Sequence, residues 1–81
     1  MEMSRERVVE AYRRFGPRVR ENVGQHIVIG VSRSALLYRV GINGSAMLEW
    51  AREYPSLSFY LCRIGSDGNL EDEIQHIDRS I

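Results

Sequence analysis

The sequence predicts an α+β domain in the order helix, β-hairpin, helix, strand, helix, built around a three-stranded sheet. Three observations carry that expectation. Apolar residues recur at steps of four, three and four near both ends, at Val8, Tyr12, Phe15 and Val19 and again at Leu70, Ile74, Ile77 and Ile81. Between them, residues 26–32 and 35–42 are rich in β-branched and aromatic side chains and are separated only by Arg33-Ser34. A chain of 81 residues, 43% apolar and 27% charged, describes one small globular unit rather than several domains or a disordered tract. The expected layout is a helical segment over 1–25, a ββαβ core over 26–64 and an acidic C-terminal helix over 65–81.

The first helix follows from the Val8 stripe, with Ser4 as its N-cap. Gly16-Pro17 interrupts it. Proline has no N–H to donate and disfavours helical geometry in the residue before it, so a stop is expected near Phe15, followed by a short second turn over 17–23 that Gly24 ends. In the hairpin, Ile27, Ile29 and Val31 share one face of the first strand, and Leu36, Tyr38, Val40 and Ile42 share one face of the second. These are the expected core faces. Asn43-Gly44-Ser45 supplies a turn and a helix cap, and Met47, Leu48, Ala51 and Tyr54 keep helical spacing as far as Pro55. A third strand over 57–64 alternates Leu57, Phe59 and Leu61 against Ser58, Tyr60 and Cys62. After the turn cluster Gly65-Ser66-Asp67-Gly68, Asn69 with Asp72 reads as a capping box, and Glu71, Asp72 and Glu73 suit the positive end of a helix dipole. The apolar stripe of that last helix must dock on the sheet, on the first helix or on another chain.

Gly24-Gln25-His26-Ile27-Val28-Ile29, Ile42-Asn43-Gly44-Ser45 and Phe59-Tyr60-Leu61-Cys62-Arg63-Ile64 together resemble a small bacterial and archaeal domain of unknown function. The first strand of that family carries a Gly-x-aromatic-Val-Ala pattern. The resemblance spans residues 12–64 and implies a short N-terminal segment, two strands, a short helix and a closing strand. It brings no catalytic residues with it, and His26 stands where the family carries an aromatic ring.

Composition excludes several classes. No apolar run approaches the ~20 residues of a membrane helix, and Met1-Glu2-Met3-Ser4-Arg5-Glu6 does not read as a secretory signal, so a cytoplasmic location without a membrane partner is expected. Cys62 is the only cysteine, which rules out an internal disulfide or a thiolate cluster for zinc or iron–sulfur. Scaling of surface with mass gives a folded area of about 5,000 Å² against about 13,600 Å² unfolded, a marginal core.

No complete catalytic constellation emerges, and no catalytic residue, metal or cofactor is expected. The available bases, His26 and His76, sit in no motif. Ser32 and Ser34 lack the context of a nucleophile elbow and read as turn residues. Cys62 reads as a small buried hydrophobe. Gly41-Ile42-Asn43-Gly44-Ser45 lacks Walker spacing and its lysine. Asp67-Gly68-Asn69-Leu70-Glu71 alternates oxygen ligands as a calcium loop does, but Asp72 stands where that loop needs glycine, and turn plus helix cap is the plainer reading.

Charge is unevenly laid out. Residues 1–25 carry six Arg and four acids, 26–64 four and two, and 65–81 one and five, so the body is +4 and the tail −4. All eleven cations are Arg, the side chain suited to bidentate contact with carboxylate or phosphate. The leading expectation is a non-enzymatic protein-binding module, an accessory subunit, regulator or small inhibitor, that self-associates as a homodimer because both terminal stripes need cover. Its contact candidates are Arg13, Arg14, Trp50 and Tyr60, with packing in the helix core as the other reading of Trp50. A second expectation is nucleic-acid binding through Arg13, Arg14, Arg18 and Arg20 around Tyr12 and Phe15. Against it, a sequence pI near 6.7 and a Glu10–Arg14 pair at four-residue spacing describe a solvated helix face. A third is a small enzyme whose site is shared between subunits, with His26 or His76 as base.

Overall fold

A computed structural model describes residues 4–78. Its elements are α1 (Ser4–Val19), β1 (His26–Val31), β2 (Leu36–Val40), α2 (Gly44–Arg52), β3 (Ser58–Arg63) and β4 (Gln75–His76). The α+β class stands, but the sheet has four strands in the order β2-β1-β3-β4, every pair antiparallel. β2 and β3 flank β1 on opposite sides, so α2 carries the chain across the face of β1.

α1 does not stop near Phe15, and no separate turn of helix follows it. The Arg20 N–H donates to the Gly16 carbonyl at 2.8 Å, so the helix passes through Pro17 to Val19. Pro17 lies on the exposed side, where water can satisfy the Arg13 carbonyl that the ring leaves unpaired. Phe15 and Val19 lie on the buried side with Val8 and Tyr12, and Phe15 stacks on Tyr38 at 3.9 Å and 5°. Ending the helix at Phe15 would withdraw Val19 from that stripe. Packing therefore outweighs one lost hydrogen bond.

The sheet buries side chains on both faces. Ile27, Ile29 and Val31 of β1, with Tyr60 and Cys62 of β3, meet α1, and Leu36, Tyr38 and Val40 pack beside them. Val28, Leu57 and Phe59 meet α2 through Ala51, Met47, Leu48 and Trp50. Ile42 belongs to this second core, not to the Leu36 face, because β2 ends at Val40 and Gly41 turns the chain at φ +82°. Asn43 occupies the N-cap of α2 with extended backbone, yet its side chain makes no capping hydrogen bond. The helix ends at Arg52, short of Tyr54.

The expected C-terminal helix is absent from the described residues. Gly65 N–H donates to Asn69 O at 2.7 Å, Ile64 bridges Leu70, and Glu71 N–H donates to Arg63 O at 2.9 Å. β4 then pairs with β3 through Tyr60↔His76 and Leu61↔Gln75. The side chains explain why the segment is extended. A separation of four places Leu70 and Ile74 on one face in helix and strand alike, whereas the step of three to Ile77 keeps the face only in a helix. Leu70 and Ile74 pack on the α1 core and Ile77 on the α2 core, so the segment has period two and shields both cores at the sheet edge. Ile81 lies outside the described residues.

Within one copy the stripe of α1 is covered by the sheet, and of the C-terminal stripe Ile77 is buried while Leu70 and Ile74 are half-buried. Val8, Tyr12, Phe15, Val19 and Ile77 are all buried within one copy. The radius of gyration, 11.8 Å, matches the roughly 11.7 Å of a compact domain of this length.

Candidate functional site

The titratable side chains fall into structural roles. Cys62 is 2% exposed, and burial pushes its thiol up to about 12, far from a reactive thiolate. His26 on β1 meets Arg63, with Nε2 and Nη2 3.3 Å apart, and His76 on β4 packs its ring 5.2 Å from Tyr60. β3 separates the two histidines. The Asp67 carboxylate accepts from Asn69 N–H at 3.0 Å and from Asn69 Nδ2 at 3.3 Å. Those bonds hold its carboxyl below the usual range and commit it to the turn. Ser32 Oγ accepts from the amides of Ser34 and Ala35 at 3.3 and 3.1 Å, which makes it the buckle of the β1–β2 turn. Among the described residues no group of three His, Cys, Asp or Glu side chains is placed to hold a metal ion, and no helix is long and apolar enough to cross a membrane.

The arginines of α1 divide between its two flanks. Arg7, Arg14 and Arg18 recur at steps of seven and four, which puts them along one edge of the helix. That edge faces the hairpin: Arg7 Nη2 donates to Ser32 O at 2.6 Å, and Arg7 and Arg14 line a cleft of about 210 Å³ with Glu10, Arg33 and Ser34. Arg5, Arg13 and Arg20 lie on the other edge, against the tail. Arg5 bonds the Asp72 carbonyl and approaches its carboxylate at 3.4 Å, Arg20 lies beside Gly68, and Tyr12 OH donates to Gly68 O at 2.6 Å. Glu10 pairs with Arg13 at 3.5 Å, not with Arg14. The four arginines singled out in the sequence as one cluster, Arg13, Arg14, Arg18 and Arg20, thus belong to two surfaces.

The aromatic candidates also part. Tyr60 is 8% exposed in the α1 core, which removes it as an exposed contact. Trp50 is half-buried, edge-on to Phe59 at 5.2 Å, with the Arg39 guanidinium 5.5 Å from its ring centre.

What the sequence did not mark out is the free edge of β2, which has a neighbour on one side only. Ser32 N–H donates to Ala35 O at 3.0 Å and Gly41 N–H to His26 O at 2.8 Å, and the register between them is unbroken from Val31↔Leu36 to Ile27↔Val40. Alternation in an antiparallel ladder then turns the amides of Leu37 and Arg39 toward β1 and aims the N–H and C=O groups of Leu36, Tyr38 and Val40 outward. Proline, bulges and inward charges are the usual guards of such an edge, and β2 has neither proline nor bulge. Its one charge, Arg39, is drawn over Trp50. Arg33 and the Arg7–Arg14 flank, also missed as a group in the sequence, border its Leu36 end. Only strand order reveals these groupings.

No protein-family model, curated protein or solved structure matches the chain.

Proposed function

We propose that this chain is a non-enzymatic protein-binding module that takes an extended segment of a partner protein as a further strand on the free edge of β2. The observation that carries this reading is the outward row of Leu36, Tyr38 and Val40 backbone groups on a five-residue, regular, unguarded edge. Half-buried Leu36, Tyr38 and Val40 on one face and Leu37 on the other would continue both cores into the added strand. The opposite edge offers less, since β4 is two residues long. Pairing of β2 with β2 of a second copy is the symmetric form of the same contact; run antiparallel, it sets the Leu36 end and arginine flank of each copy beside the Val40 end of the other.

The test is selection of displayed peptides on the immobilised chain, followed by amide hydrogen exchange. Binders are expected to slow exchange at Leu36, Tyr38 and Val40 and to lose affinity on Leu36→Pro, which deletes an outward donor and leaves the β1 ladder intact. If no selected peptide protects those three amides, the reading falls.

Nucleic-acid binding has one specific observation in its favour, the convergence of Arg7, Arg14 and Arg33 on one cleft. Tyr38 and Phe15, however, stack on each other rather than presenting faces to bases. Affinity for duplex DNA that falls steeply with salt and vanishes on Arg14→Gln with Arg33→Gln would favour it over strand binding.

A further inference from the structure

Building on the reading of β2 as a strand-binding edge, we infer that the partner segment is acidic and that the carboxylates following its paired residues enter the Arg7–Arg14–Arg33 cleft. Three observations place the charge. Ser34 and Ala35, which line the cleft, immediately precede Leu36, so the cleft opens where the β2 edge begins. Arg14 and Arg33 have no ion-pair or hydrogen-bond partner among the described residues, whereas Arg7 is fixed on Ser32 O and Arg13 occupies Glu10. Of the chain's own acidic tail, Asp72 meets Arg5 and Asp67 its own turn, Glu71 and Glu73 line a pocket beside His26 and Arg63, and no described residue of the tail lines the cleft.

The polarity of the segment follows from the sheet. Every pair in it is antiparallel, and an antiparallel partner runs from the Val40 end of β2 to the Leu36 end. The residues after its paired stretch therefore arrive at the arginines. Guanidinium groups accept carboxylates in bidentate fashion, and a cleft of about 210 Å³ admits such a group. A nucleic acid would use the same charges but leaves the outward amides of Leu36, Tyr38 and Val40 unpaired. An extended polypeptide satisfies both features at once.

The experiment uses the full chain and three synthetic peptides that share a Val/Thr-rich extended core: one with two Glu after the core, one with two Glu before it, and one with Gln after it. Affinity and amide exchange are read together. The first peptide is expected to bind at least about tenfold more tightly than the other two and to protect Leu36, Tyr38 and Val40. That advantage should disappear on Arg14→Gln with Arg33→Gln, both exposed positions, and shrink as salt rises from about 0.05 M to about 0.5 M. Equal binding and equal protection by all three peptides would overturn the acidic assignment and leave strand binding standing. Failure of all three to protect those amides would overturn strand binding by such segments, and the acidic assignment with it.

Discussion

At Gly30 an added Cβ would sit 2.5 Å from the Phe59 ring, which lies opposite it across the β1–β3 ladder and is wedged against Trp50. Gly30→Ala is therefore expected to cost about 1–3 kcal/mol through overpacking, with a smaller penalty in a Phe59→Leu background. Paired urea titrations check this, and equal penalties in the two backgrounds would show that the ring is not the obstacle. Burial also sets a pH dependence. It pushes the Cys62 thiol from 9.0 up to about 12 and raises the Tyr12 hydroxyl above 10.0. The unfolded chain gives up those protons first, so stability present at neutral pH should fall as pH rises from about 9 to about 12. Urea midpoints followed into that range should decline less steeply for Cys62→Ala than for the parent chain.

Among the elements, α1 and the tail show how packing redirects local signals. Pro17 sits in α1 against its propensity, on the solvent side, so Pro17→Ala should stabilise the chain by about 1–2 kcal/mol, the helix gain less the lost restriction of the unfolded state. Thermal unfolding measures it, and a destabilised variant would mean that the proline positions the turn after Val19. In the tail, Ile77→Ala should cost about 2–5 kcal/mol although only a two-residue strand precedes Ile77, because its side chain closes the α2 core. Backbone chemical shifts over residues 70–77 should be extended, and helical shifts there would contradict the β4 pairing.

Across the whole molecule, two cores share one sheet, and β1 lines both. Ile27 and Ile29 face α1 while Val28 faces α2, all fully buried. Amides of β1 should therefore exchange only through global unfolding, and those of Gln75 and His76 by local opening at the edge. Faster exchange in β1 than in β4 would break this account. Charge is segregated on the same scale: Arg7, Arg14 and Arg33 gather on the β2 side, and Asp67 and Asp72 on the side of β4. A formally neutral chain thus has one basic flank and one on which Arg5, Arg13 and Arg20 offset the tail's carboxylates, so attraction to partners depends on which edge they approach.

Period and composition alone determined the buried stripe of α1, the facing of Ile27, Ile29 and Val31, the alternation of Phe59 with Tyr60 and Cys62, and the turn roles of Ser32 and Ser34. Each rests on neighbours a few residues apart, where backbone geometry decides which side chains share a face. The course of the chain through Pro17, the extended tail, the segments that each arginine flank of α1 faces and the free edge of β2 were decided by tertiary structure. They depend on which strand lies beside which and on which core claims a residue such as Ile77. Those are contacts between distant segments, and helical steps of four, three and four cannot encode them, because a four-residue step keeps its face in strand and helix alike.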